Sequence, residues 1–207
     1  MPHMLEVRGL RKIYRRGLID RTPTFQLAAD FVIEEPAVVG MMGPNGSGKT
    51  TLFELVTGSN APTEGEVRVQ GRNIHRIRTD QRDRLAIHYH QSYQVRHFRS
   101  FVPNAFLEKA GLAYPLVHLF DEPQFNTQDG YIGFMLDFFR KLRSEGRLVF
   151  LCVHPNEKFH LEILQEICER FIFVQNGTVT QLDSFDALLG HAPAQAYLGN
   201  LLSEERA

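Results

Sequence analysis

The residues with the clearest chemistry in this chain are Gly43, Pro44, Asn45, Gly46, Ser47, Gly48, Lys49 and Thr50. They fit the pattern G-x-x-x-x-G-K-[ST], a loop that cradles phosphates. Its glycines let successive backbone N–H groups turn inward on an anionic chain. The helix that follows adds the positive end of its dipole. Lys49 is then expected to reach the β- and γ-phosphates of a nucleoside triphosphate, and the Thr50 hydroxyl to ligate Mg²⁺. Thr51, at the head of that helix, is grouped with the loop as a nucleotide contact. The flanks are what the motif requires: Ala37 to Met42 (AVVGMM) reads as a buried strand, and Thr51 to Thr57 as a helix closed by Gly58.

Two further groups belong with such a loop. Leu116 to Phe120 (LVHLF) reads as a buried strand that delivers Asp121 and Glu122 at its C-terminal end, where ligands bind in open α/β sheets. Asp121 suits the carboxylate that completes Mg²⁺ coordination. Glu122 suits the group that orients or deprotonates an attacking water. Leu148 to Val153 (LVFLCV) reads as another buried strand, and it ends at His154. Were the two strands parallel neighbours, His154 would share the sheet edge with Asp121, within reach of a γ-phosphate.

The remaining elements must hold these groups in place. Met4 to Arg8 reads as an edge strand, Phe25 to Ile33 as a second strand, and Glu66 to Gln70 as a third. Together they predict an antiparallel β layer beside the central strand–loop–helix unit. Leu85 to Tyr89 can form a strand ending at Gln91. Tyr131 to Arg143 reads as a helix with Ile132, Met135, Leu136, Phe139 and Leu142 on one stripe. Asn156 to Cys168 reads as a helix. Phe171 to Thr180 reads as a hairpin around Asn176-Gly177, and Ser184 to Leu189 as a short capped helix. Ser203 to Ala207 is polar, and a frayed tail is expected over 200–207. The fold class is α/β: a phosphate-loop NTPase core with a mostly parallel sheet plus an N-terminal antiparallel layer.

Composition narrows the setting. At 207 residues with 43% apolar and 23% charged content, the chain suits one soluble globular domain. A net charge of −1 gives no global drive towards nucleic acid or anionic lipid. The two cysteines, Cys152 and Cys168, fall in predicted buried elements, which suggests a reducing compartment. The N-terminus lacks the apolar core of a signal peptide, and no apolar run nears the roughly 20 residues that span a bilayer. One stretch differs in character. Residues 72–99 hold seven arginines and four histidines against Asp80 and Asp83. That run is either a solvated face or a docking surface for an acidic partner or lipid headgroups.

Taken in order, these motifs resemble the ATP-binding cassette (ABC) ATPases, the cytoplasmic nucleotide-binding subunits of ABC transporters, over about residues 10–190. The resemblance implies ATP and Mg²⁺ as ligands. It implies that Tyr14 stacks on adenine, and that Gln91 touches Mg²⁺ and senses a transmembrane partner. It makes Asp121 the Walker B aspartate, Glu122 the catalytic glutamate and His154 the switch histidine on the γ-phosphate. It also implies a permease subunit as partner and a place on the cytoplasmic face of a membrane.

One family feature is missing. Members carry a helical subdomain between the glutamine and Walker B that ends in a signature, typically Leu-Ser-Gly-Gly-Gln. Here only 30 positions separate Gln91 from Asp121, and nothing between them matches it. Residues 92–115 have room for about one short helix, a shortened remnant of that subdomain. The turn after Pro123 is also one residue longer than typical. In this family two subunits sandwich two ATP molecules, each held by one subunit's phosphate loop and the other's signature. The expectation is therefore a single ABC-type ATP-binding domain over 1–207, weak as an ATPase alone, with a second ABC ATPase subunit supplying the signature in a hetero-oligomer. A nucleotide-dependent regulatory or clamp module with little turnover is the alternative. A nucleotide kinase leaves the carboxylate pair and His154 unexplained.

Overall fold

The computed structural model describes residues 2–17, 22–89, 115–123 and 131–203. Gln91, the segment 92–115 up to residue 114, and the turn after Pro123 lie outside the described residues. Ten strands form one curled sheet in the order β5-β4-β1-β2-β10-β9-β3-β8-β7-β6. They are β1 (Leu5–Arg15), β2 (Pro23–Ile33), β3 (Val38–Met42), β4 (Glu64–Val69), β5 (Arg72–Asn73), β6 (Ala86–Tyr89), β7 (Val117–Asp121), β8 (Leu148–Cys152), β9 (Arg170–Gln175) and β10 (Thr178–Leu182). The described helices are α1 (Lys49–Thr57), α2 (Thr79–Arg82), α3 (Tyr131–Ser144), α4 (Lys158–Ile167), α5 (Phe185–Gly190) and α6 (Ala192–Ser203).

The parallel half runs β9-β3-β8-β7-β6. Every residue of β3, β7 and β8 is buried, as expected for strands covered on both faces. Their side chains alternate between two cores. Met41, Leu119, Phe150 and Cys152 face one core with Leu52, Phe53 and Val56 of α1. Met42, Phe120, Val149 and Leu151 face the other with Phe139 and Leu142 of α3, Leu164 of α4 and Leu198 of α6. Cys152 and Cys168 sit in opposite cores as free thiols, consistent with the absence of a disulfide between them. Burial alone of an aromatic such as Phe53 or Phe139 is worth about 1.5–3 kcal/mol.

The antiparallel half is a continuation of the same sheet. Strand β2 joins β10 in parallel at Thr178 and Ala28, and the Ala28 N–H donates to the Gly177 carbonyl at 2.7 Å. Strand β1 is not at an edge: it lies between β2 and β4 and runs to Arg15, well past Arg8. The alternating pattern breaks at Gly9, where the register shifts and the Gly9 N–H donates to Asp30 Oδ2. That irregularity is why the sequence pattern stops short of the strand's true end. The other elements match their sequence signals. Asn176, at φ 49°, turns the β9–β10 hairpin, and the Ser184 hydroxyl caps α5 by accepting from the Ala187 N–H. Within the expected frayed stretch 200–207, residues 200–203 are still helical as the end of α6, and 204–207 lie outside the described residues. Buried Ala194 and Leu198 anchor α6 on the second core.

Candidate functional site

The phosphate loop leaves β3 at Gly43, whose φ of 148° is closed to most L-residues. A Cβ there would lie 1.9 Å from the Val174 carbonyl oxygen, so the loop is pressed against β9. The Ser47 N–H donates to the Pro44 carbonyl, and the Gly177 N–H donates to the Ser47 carbonyl at 3.1 Å. The β9–β10 turn thus braces the loop from behind. Helix α1, nine residues long, starts at Gly48 with no side-chain cap and no acidic residue in its first turn. A helix start without a capping side chain is the arrangement a bound phosphate completes.

Lys49 is buried, and its ammonium donates to the Gly43 and Pro44 carbonyls at 2.7 and 2.9 Å. The positive charge is therefore held across the mouth of the loop, positioned for anionic oxygens. Beside it the Thr50 hydroxyl donates to Asp121 Oδ2 at 3.1 Å. Asp121 is almost fully buried at the C-terminal end of β7. Burial pushes its carboxyl up, but hydrogen bonds from His88, Cys152 and Thr50 outweigh this and hold it below the usual carboxylate range. The group is thus ionised at neutral pH. Two hard oxygens about 3 Å apart, one of them anionic, fit adjacent positions on an octahedral Mg²⁺ with ligands at about 2.0–2.1 Å.

Glu122 follows with a left-handed backbone at φ 49°, and its N–H donates to the Cys152 carbonyl at 2.9 Å. A non-glycine residue in that region is strained, and such strain concentrates at functional positions. The bend carries Glu122 out of the strand into a cleft of about 260 Å³ that it shares with Asn45, Gly46, Gly48, Lys49, Thr50, Thr51 and Asp121. Strands β7 and β8 are parallel neighbours in the register Asp121 to Cys152, so His154 does lie at the same sheet edge. Its ring is exposed, and its Nδ1 sits 2.7 Å from the Tyr197 hydroxyl of α6.

Tyr14 is less simply placed. Its hydroxyl accepts from Asn60 Nδ2 at 2.7 Å, and the Lys12 ammonium lies 5.2 Å from its ring centre. Phe25, 6.1 Å away from that ring, is the aromatic that lines the cleft. A Cβ on Gly48 would come within 2.9 Å of Phe25 Cζ.

Sequence reading misses three residues at this site. His88 Nε2 lies 3.4 Å from Asp121 Oδ2, and its ring meets Phe53 edge-on. Cys152 hydrogen-bonds the same carboxylate, and burial, then the Asp121 charge, pushes its thiol well above the ordinary range. Phe25 is the third. Only register could have revealed His88: it pairs with Leu119, two residues before Asp121 and on the same face of the sheet.

A strand, phosphate loop and helix, with two carboxylates delivered by a neighbouring parallel strand, define a P-loop nucleotide-binding protein. Comparison with known proteins narrows the class. Residues 28–129 match the family model described as ABC transporter. The chain is 37% identical over 78 residues to the ABC transporter ATP-binding protein YxdL of Bacillus subtilis, which covers 38% of this chain and 29% of that protein. It is 27% identical to the thiamine import ATP-binding protein ThiQ of Vibrio parahaemolyticus, over 93% of this chain and 96% of that one. That alignment runs over 238 positions, so ThiQ carries residues this 207-residue chain lacks. In several of the relatives the matched stretch spans about a third of the relative's own length. A solved ATP-binding subunit of an ABC transporter superposes with a TM-score of 0.69 at 17% identity, covering 99% of this chain and all of that one. A dimeric ATP-binding cassette in a post-hydrolysis state gives 0.62 at 17% identity, covering 87% and 98%. Residues 28–129 thus match the ABC transporter family, and the fold of the chain is that of ABC ATP-binding subunits.

Proposed function

We propose that this chain is an ATP-binding and ATP-hydrolysing subunit of an ABC transporter. The observation that carries the reading is the convergence of Lys49, Thr50, Asp121 and Glu122 on one cleft. Lys49 and the N–H groups at the head of α1 bind the β- and γ-phosphates. Thr50 and Asp121 would hold Mg²⁺, joined by Gln91 as the family resemblance implies. When bound, the ion neutralises charge on the phosphate oxygens. Glu122 orients the attacking water and accepts its proton, and His154 donates to the γ-phosphate. Phe25 and Tyr14 form the aromatic side of the base site.

The partners follow from what the chain lacks. Nothing between Gln91 and Asp121 supplies a signature sequence, so a homodimer would hold two phosphate loops and no signature donors for the γ-phosphate. A second ABC subunit supplies them in trans, and a permease subunit carries the pair on the cytoplasmic face of a membrane. Among the described residues no helix is long and apolar enough to cross a membrane, which fits attachment through partners. The relatives named for thiamine import and lipoprotein release are ATP-binding proteins of transport systems, which favours this setting. The second reading, a clamp module with little turnover, draws on the same missing signature.

Steady-state ATP hydrolysis across a wide range of protein concentration, with Glu122→Gln as blank, tests both. Turnover no higher than the blank, with ATP still bound, fits a chain that needs its partner, and a partner that restores activity establishes the transporter reading. Failure of every co-expressed ABC partner to restore it favours the clamp. Robust turnover that rises with concentration overturns the heteromer.

A further inference from the structure

The switch position has a feature that neither the motifs nor the comparisons assign. His154 stands just past the end of β8 with an exposed ring, free by itself to sample several rotamers and both neutral tautomers. Tyr197 approaches from α6, 43 residues along the chain, and its hydroxyl lies 2.7 Å from His154 Nδ1. The two rings stand 5.9 Å apart, inclined at 60°.

Tyr197 is itself well held. Its ring packs on Phe173 of β9 at 5.9 Å. Ala194 and Leu198, on either side of it in α6, are fully buried in the second core. The His191 ring also meets Phe173 edge-on at the start of the helix. Burial, with Cys152 and Glu122 nearby, pushes the Tyr197 hydroxyl up to about 12. The phenol therefore keeps its proton at every physiological pH. A phenol O–H is a strong donor, and an unprotonated imidazole nitrogen is a strong acceptor.

We propose that Tyr197 is a positioning residue for His154: its hydroxyl donates to Nδ1 and holds the ring as the Nε2–H tautomer. The nitrogen left to meet the γ-phosphate is then the one that carries a hydrogen. The opposite tautomer would present a lone pair to a phosphate oxygen and repel it. Which nitrogen bears the proton is set by the partner of the other, as for metal-bound and triad histidines. The inference rests on the reading of His154 as the γ-phosphate donor. It adds a residue of the C-terminal helix α6 to the site.

The test is spectroscopic and needs no turnover. Long-range proton–nitrogen correlation spectra of the full chain, labelled with ¹⁵N-histidine, report each ring's tautomer. The His154 signal is assigned by its loss in His154→Gln. In the native chain it should show the Nε2–H pattern. Tyr197→Phe keeps the ring and its packing on Phe173 and removes only the hydroxyl. It should move the tautomer ratio by up to about tenfold, the equivalent of one ordinary hydrogen bond, with the thermal midpoint little changed. A native tautomer pattern retained in Tyr197→Phe overturns the proposal, as does a native chain already in the Nδ1–H form. The underlying reading is tested separately by adding the imido analogue of ATP with Mg²⁺, or MgADP. If neither native nor variant His154 distinguishes the two, His154 does not meet the γ-phosphate. The tautomer result then still decides what Tyr197 does to the ring.

Discussion

The Thr50 hydroxyl and Asp121 Oδ2 lie 3.1 Å apart although 71 residues separate them in the chain. One opens α1 and the other closes β7, so the bond joins the phosphate loop to the carboxylate strand across the mouth of the site. The pair is also the set of oxygens best suited to Mg²⁺. Asp121→Asn removes the anionic member. Affinity for ATP in the presence of Mg²⁺ should fall by about ten- to hundredfold, while binding of Mg²⁺-free ATP changes little. Titration of a fluorescent ATP analogue with and without the cation checks this. An equal loss in both conditions would make Asp121 a structural residue.

Phe25 and Tyr14 stand side by side, but only Phe25 is seen lining the cleft. Stacking of a base on an aromatic ring is worth about 1–3 kcal/mol. Phe25→Ala should therefore weaken ATP binding by about tenfold. Tyr14→Ala should do the same where the base lies against both rings. Calorimetric titration of the two variants against ATP and free triphosphate distinguishes the cases. A loss confined to Tyr14→Ala would leave Phe25 as wall, and a loss that persists with triphosphate alone would remove the base from the explanation.

Gly43 has no room for a methyl group: a Cβ there would stand 1.9 Å from the Val174 carbonyl oxygen, and the backbone φ is 148°. Gly43→Ala should cost about 1–3 kcal/mol of stability and weaken nucleotide binding, because the loop must lift from β9. Urea unfolding and nucleotide titration read the two effects. Native stability with lost binding would mean that the loop shifts without strain.

His118 is buried on β7 beside Tyr89 of β6 and Phe120, whose own rings stack 4.4 Å apart. Its Nδ1 pairs with the Tyr89 hydroxyl and its Nε2 with the Pro115 carbonyl, each at 3.1 Å. Burial, then the charge of Arg147, pushes its pKa down to about 3 from the ordinary 6.5. The unfolded chain thus binds the extra proton first as pH falls. Stability associated with this group is intact above about pH 6.5 and is lost progressively as pH drops towards 3. Between pH 7 and 5 the loss should approach about 2 kcal/mol from this residue. His118→Phe should be less stable at pH 7, since it removes the hydrogen bonds to the Tyr89 hydroxyl and the Pro115 carbonyl, but should lose less on acidification. Urea unfolding at the two pH values measures the difference, and parallel losses would assign the acid sensitivity elsewhere.

Much of the architecture is legible in the sequence because its signals are local. Val38 to Met42 and Leu148 to Cys152 are continuous apolar runs, and Val117 to Phe120 is apolar but for His118, a pattern of strands covered on both faces. Asn176-Gly177 and Ser184 announce a turn and a cap through their own backbone and hydroxyl chemistry. Strand β1 reads as an edge but is not one, because strand order is not written in any one strand's pattern. Its extension beyond Gly9 is hidden because a bulge breaks period-2 alternation. Residues 200–203 read as part of a tail because nothing in them announces the anchoring of α6 by Ala194 and Leu198.

The sequence by itself determined the phosphate loop. Its eight residues turn their own backbone, and the strand and helix that orient it adjoin it directly, so no distant contact is needed to specify the geometry. It also named Asp121, Glu122 and His154, each just past an apolar strand. Tertiary structure alone decided what surrounds them: His88 and Cys152 on the Asp121 carboxylate, Phe25 against Gly48, and the Tyr197 hydroxyl on His154. Those contacts depend on strand order, on register and on where a C-terminal helix docks. A side chain's partner across a sheet is set by the packing of two cores at once, and no window of sequence contains both.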